Sequence, residues 1–176
     1  TPSNSSAASD VYKRQLYNVP SRTGISIQPE TVSALSEIKN IVGIKEASGS
    51  LDQVSKIIKL CGEDFVVLSG DDSLTLPIMA VGGKGVVSVA ANIIPDKVAE
   101  MVKSALENDW EKARKLHLEL FPIFKILFIE TNPIPVKAAL GLMGMITPEW
   151  RLPLTPPSEE NLERIKKTLI ECGVIK

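Results

Sequence analysis

Apolar runs of strand length alternate with amphipathic stretches of helical length from Leu16 to Leu106, and no other feature constrains the fold of this chain as tightly. The strand candidates are Leu16–Val19, Ile41–Lys45, Phe65–Ser69 and Gly85–Ala90. Between them lie helix candidates. Pro29 to Ile38 opens with a proline, which suits a first helical turn. Leu51 to Leu60 carries Val54, Ile57, Ile58 and Leu60 at helical spacing. Asp71 or Asp72 can cap a helix that runs to about Ala80, and a further helix spans Pro95 to Leu106. Near-continuous apolar strands separated by helices imply a parallel sheet covered by helices. Four such units fit part of a β/α barrel or a doubly wound sheet, and the alternation does not separate the two.

The strands stop after Leu106. Asp109 to Glu130 reads as one long helix with Trp110, Ala113, Leu116, Leu120 and Phe124 near one face and a possible kink at Pro122. Asn132-Pro133-Ile134-Pro135 breaks it, and Val136 to Met143 follows as a short apolar helix. Pro148, Pro153, Pro156 and Pro157 mark an extended linker. Ser158 then caps a last helix whose first turn holds Glu159 and Glu160, well placed for the helix dipole. Thr1–Gln15 differs from all of this. It is poor in apolar residues and periodicity, and reads as a disordered or unrelated leader. The expected organisation is leader 1–15, an α/β part 16–107 and a helical part 108–176.

Composition narrows the function. A hydrophobic fraction of 44% over 176 residues supports a real core. The net charge of -1 gives no reason to expect nucleic acid or an anionic membrane surface as partner. The most apolar stretch, Leu118 to Ile129, is short and interrupted by Glu119, Pro122 and Lys125, so no membrane span is expected. The opening residues lack the apolar core of a secretory signal, and a cytoplasmic location is the expectation. Cys61 and Cys172 form neither a disulfide framework nor a metal motif and read as free thiols in a reducing compartment. His117 has no partner for a metal site and lies in a helical pattern. Gly82-Gly83-Lys84-Gly85 precedes a strand instead of opening a helix, so it reads as a tight turn and not as a phosphate loop.

Three residues carry candidate chemistry. Lys45 lies at the end of the apolar run Ile41-Val42-Gly43-Ile44. Desolvation favours the neutral form of an amine, and a neutral amine can attack a ketone to form a Schiff base. Most strand-end lysines simply reach water, so this residue alone does not decide the matter. Tyr17 ends the preceding strand, and a tyrosine hydroxyl can move protons at a carbonyl. Arg22 follows in the next loop and offers a planar fork matched to a carboxylate. Parallel barrels place their chemistry at the C-terminal ends of the strands, where all three fall.

Leu16–Gly24, Gly43–Gly49, Leu68-Ser69-Gly70-Asp71-Asp72 and Thr131–Lys137 together resemble the 4-hydroxy-tetrahydrodipicolinate synthase (dihydrodipicolinate synthase) family, in motif order and spacing, from Leu16 to the C-terminus. The resemblance implies a class I lyase with a (β/α)8 barrel and a C-terminal helical domain, of which this chain would hold the last four β/α units and the helical domain. It implies Lys45 as the Schiff-base lysine, Tyr17 as a proton shuttle, and Arg22, Gly70 and Val87 as substrate-binding residues. The implied partners are pyruvate and L-aspartate 4-semialdehyde, with no metal or organic cofactor, and a homotetramer for the full-length protein. The Ser21-Arg22-Thr23-Gly24 form favours this synthase over the sialic-acid lyase and keto-deoxy-sugar-acid aldolase branches. The family's first four strands have no counterpart in this sequence, and with them go part of the proton relay and the keto-acid carboxylate site. The chain therefore reads as the second half of such an enzyme. Its rivals are a related pyruvate-dependent aldolase and a catalytically inactive fragment.

Overall fold

Register is set in the middle of the sheet, where one strand buries alternate residues against two helices. This computed structural model describes residues 14–176. In chain order, β1 (Arg14–Asn18) is followed by the short helix α1 (Pro20–Thr23), α2 (Pro29–Ser36), β2 (Ile41–Glu46), α3 (Leu51–Cys61) and β3 (Val66–Ser69). A 3-10 turn at Asp72–Leu74, α4 (Thr75–Ala80) and β4 (Gly85–Val86) come next. After a second 3-10 turn at Ala90–Asn92 the rest is helical: α5 (Pro95–Leu106), α6 (Trp110–Ile126), α7 (Ile134–Leu142) and α8 (Glu159–Glu171). The described residues fall into two compact units that meet in sequence at Val87 and Ser88. The helix Pro95–Leu106, read above with the α/β part, belongs to the second of these units.

In the first unit the four strands are all parallel, in the order β1-β2-β3-β4. Successive residues of a strand face opposite sides. On one side, Ile44 and Val67 pack with Val32 of α2, Val54 and Ile57 of α3, Phe65, and Ile78 of α4. Ile44, Val32 and Ile57 are fully buried. Each buried aliphatic side chain contributes about 1.5–3 kcal/mol relative to exposure. That packing fixes which face of β2 looks at the helices, and leaves Gly43 and Lys45 on the other. Ser50 caps α3 by accepting from the Gln53 amide at 3.2 Å, satisfying one orphan N–H of the first turn.

Two details differ from the sequence reading. Arg14 and Gln15, placed there in the leader, are the first residues of β1, while residues 1–13 of that segment lie outside the described residues. The fourth strand, expected over Gly85–Ala90, is only Gly85–Val86. Beyond it the Val87 amide still donates to the Ser69 carbonyl at 2.8 Å. Ser88 then turns the chain by accepting from the Ala91 amide at 2.9 Å, a local bond that competes with continued ladder pairing. The turn Gly82–Lys84 lies at the N-terminal edge of β4, away from the strand ends that carry Lys45 and Tyr17.

In the second unit α5 packs on α6, and α8 on both α6 and α7. Val98, Met101 and Ala105 of α5, Ala113, Leu120, Ile123 and Phe124 of α6, and Ile165 and Leu169 of α8 are buried. Trp110, read as part of the apolar face, is exposed in the first turn of α6. The helix runs through Pro122 without a break in its assignment. Asp109 and Ser158 cap α6 and α8. A cleft of about 330 Å³ lined by Ile94, Lys97, Leu120, Ile123 and Cys172 lies in this unit and holds none of the candidate catalytic residues. No helix among the described residues is long and apolar enough to cross a membrane.

Candidate active site

β1 and β2 pair in parallel with Tyr17 opposite Lys45 and Asn18 opposite Glu46. Lys45 in turn stands opposite Leu68 of β3, and Leu68 opposite Gly85 of β4. Tyr17, Lys45, Leu68 and Gly85 thus form one row across the sheet, on the face that the helices do not cover. Within that row the Lys45 Nζ lies 4.1 Å from the centroid of the Tyr17 ring, a distance at which the ring face attracts a cation. The register brings the two residues together although 27 positions separate them in the chain.

Gly70 completes this corner. A Cβ at Gly70 would stand 3.0 Å from the Lys45 Cε and 2.7 Å from the Ala47 Cβ, so only glycine leaves the lysine stem its present path. The Gly70 amide donates to the Glu46 carbonyl at 2.8 Å, which holds the turn against β2. Val87 joins the same edge through its backbone bond to Ser69, and its side chain is exposed. Arg22 is placed by α1 and not by the sheet. Its side chain is exposed, on the short helix that begins two residues after β1 ends. Lys45 therefore lies close to both Tyr17 and Gly70, with Val87 along the same strand ends and Arg22 on the adjoining turn.

The opposite face of the same strand ends is polar and closed. Asn18, Glu46 and Ser69 form the next row, and each is at most 1% exposed. Glu46 accepts from Asn18 Nδ2 at 3.0 and 3.2 Å, from Gln53 Nε2 at 3.1 Å and from the Ser48 amide at 2.6 Å. Asn18 Oδ1 accepts from the Ile27 amide at 3.0 Å. The sequence reading singled out neither Glu46 nor Asn18. The available signal was a glutamate two residues after Ile44, on the same face of a strand that otherwise reads as apolar.

Among the described residues no cluster of three or more His, Cys, Asp or Glu side chains could hold a metal ion. Asp71 instead caps the turn that follows it, accepting from the Ser73 amide at 2.8 Å. Cys61 and Cys172 are free thiols, and burial pushes both up from the ordinary thiol range. His117 is held below the usual histidine range by burial, in the second unit.

The sequence model of the Dihydrodipicolinate synthetase family matches residues 7–172. A 4-hydroxy-tetrahydrodipicolinate synthase of Archaeoglobus fulgidus is 56% identical over 160 residues, covering 91% of this chain and 55% of the relative. The synthase of Methanosarcina barkeri is 52% identical over 162 residues, covering 92% and 56%. Among solved structures, the dihydrodipicolinate synthase of Aquifex aeolicus superposes with a TM-score of 0.90 at 48% identity, covering 92% of this chain and 56% of that one. The 4-hydroxy-tetrahydrodipicolinate synthase of Methylacidiphilum fumariolicum SolV gives 0.92 at 50% identity, covering 95% and 56%. The chain spans about half the length of the curated relatives it matches. Its parallel sheet and helices are part of a (β/α)8 barrel, followed by further helices. On the match over nearly its whole length, the chain belongs to the dihydrodipicolinate synthetase family.

Proposed function

We propose that this chain supplies the lysine-bearing half of a class I synthase that condenses pyruvate with L-aspartate 4-semialdehyde to give 4-hydroxy-tetrahydrodipicolinate, in lysine (diaminopimelate) biosynthesis. One observation supports this reading above the others: Lys45 and Tyr17 face each other at 4.1 Å on the sheet face away from the helices. The names of the relatives agree with it.

In this reading the neutral Lys45 amine attacks the pyruvate ketone, and loss of one water leaves an iminium. The iminium draws electrons from the neighbouring methyl group, which gives up a proton and becomes an enamine carbon. That carbon forms the new bond to the aldehyde of the second substrate, whose oxygen takes up a proton. The amine of the semialdehyde then attacks the iminium carbon, closes the ring and releases Lys45. Tyr17 carries protons through its hydroxyl. Arg22 binds the carboxylate of the semialdehyde. Gly70 and Val87 line the keto-acid side. No organic cofactor takes part, because the lysine does the covalent work. In this reading the assembly of the whole enzyme is a homotetramer in the cytoplasm.

This polypeptide alone carries half of the strands its relatives use. Catalysis depends on groups held together, so the 176-residue chain by itself is expected to turn over little or no substrate. The test is reduction with borohydride in the presence of pyruvate, followed by peptide mapping, together with product analysis after adding the separately made first half of a relative. Label on Lys45 and the expected cyclic product only in the complemented sample support the reading. Label on another lysine, or cleavage of a keto-sugar acid in place of the condensation, would refute it.

A further inference from the structure

Directly behind the Tyr17–Lys45 pair lies a buried polar network that holds the two strands, and the loop bearing Arg22, in place. Glu46 is 1% exposed, and both of its oxygens accept from N–H donors only: Asn18 Nδ2, Gln53 Nε2 and the Ser48 amide. Asn18 spans the gap to the loop. Its Oδ1 accepts from the Ile27 amide, and its Nδ2 also reaches Ser26 Oγ at 3.3 Å. Gln53, in the first turn of α3, donates to the Ile27 carbonyl at 3.2 Å and accepts from Ser26 Oγ at 3.4 Å. The network therefore ties β1, β2, α3 and residues 26–27, which close the loop that begins with α1 and Arg22.

Cross-strand register makes this consequential. Asn18 and Glu46 are the register partners immediately after Tyr17 and Lys45. From Gln15–Gly43 to Asn18–Glu46 the register runs without a break, so the two neighbouring pairs hold one another in step. The Ala47 amide, donating to the Asn18 carbonyl at 2.9 Å, extends the same clamp past the end of β2. Satisfied buried polar networks favour one arrangement strongly, because each broken bond leaves an unpaired buried group.

We propose that Glu46, with Asn18 and Gln53, is the positioning set of the candidate active site: it fixes Lys45 over Tyr17 and anchors the loop of Arg22, without touching substrate. The positional claim stands on the network; its bearing on catalysis rests on the reading under "Proposed function". Glu46→Gln places an amide donor among donors and breaks the match while keeping the shape. Gln53→Met removes the Nε2 bonds to Glu46 and the Ile27 carbonyl and the Oε1 acceptor of Ser26 Oγ with little change of volume, and serves where Glu46→Gln disturbs folding.

The test uses the full 176-residue chain and two independent readouts. The first is the ring-current shift that the Tyr17 ring imposes on the Lys45 ε-methylene protons, read by NMR without any substrate. The second is the rate of borohydride trapping by pyruvate at Lys45. Glu46→Gln, or Gln53→Met with far-ultraviolet circular dichroism unchanged, is expected to lose at least half of the ring-current shift. Where Lys45 forms an adduct, trapping slows roughly tenfold. A folded Glu46→Gln or Gln53→Met chain with an unchanged Lys45 signal overturns the positioning role. Absence of any Lys45 adduct in the unaltered chain, with the ring-current effects as expected, counts against the proposed chemistry and leaves the positioning role supported.

Discussion

The Nζ of Lys45 stands 4.1 Å from the centre of the Tyr17 ring, its register partner on the adjacent parallel strand. The contact with the amine is made by the ring, and the hydroxyl is no part of it. The geometry separates two contributions of Tyr17: the ring that positions, and the hydroxyl that can move a proton.

Lys45→Ala is expected to abolish reductive trapping of pyruvate in the complemented enzyme, because only a Schiff base is converted to a stable secondary amine. Arg22→Ala should leave that adduct in place and weaken use of the acidic aldehyde in the complemented enzyme. Mass mapping of borohydride-treated peptides checks the first, and KM for the aldehyde the second. Adduct persisting at full yield in Lys45→Ala would rule out the assignment.

Tyr17→Phe keeps the ring under Lys45 and removes the hydroxyl. Adduct formation should fall less than turnover, which is expected to drop on the order of 100-fold or more in the complemented enzyme. Equal losses in both steps would mean that the hydroxyl already acts in Schiff-base formation, and would overturn a role confined to the later proton transfers.

Gly70→Ala inserts a Cβ 2.7 Å from the Ala47 Cβ and 3.0 Å from the Lys45 Cε. Overpacking of this kind typically costs about 1–3 kcal/mol. The lysine stem must also move, so trapping at Lys45 is expected to slow even under conditions where the chain stays folded. Urea unfolding and trapping kinetics on the same sample check the two parts.

Burial lowers His117 from its ordinary value of 6.5. The unfolded chain then binds the proton at a higher pH than the folded one. Stability contributed by keeping this ring neutral is present above about pH 6.5 and is lost as pH falls through the folded value. His117→Phe should flatten that part of the stability–pH curve, and denaturant midpoints between pH 5 and 7.5 measure it. An unchanged slope in the variant would assign the pH dependence to other groups.

The sequence by itself determined the elements and their order. Continuous apolar runs at Ile41–Ile44 and Phe65–Leu68, the helical spacing of Val54, Ile57 and Ile58, and the cap at Ser158 are local signals, and the structure shows strands, helix and cap there. Lys45, Tyr17 and Arg22 stood out as candidates because reactive side chains interrupt apolar runs or follow them directly. Tertiary structure alone decided what faces what. Which side of β2 carries Lys45 depends on Ile44 packing against α2 and α3, a long-range burial that no local window contains. The pairing of Tyr17 with Lys45, the tight fit of Gly70 against the lysine stem, and the closed network around Glu46 all follow from strand register. Register is a choice among alternatives of similar local propensity, settled by burying one face and leaving the other to the site.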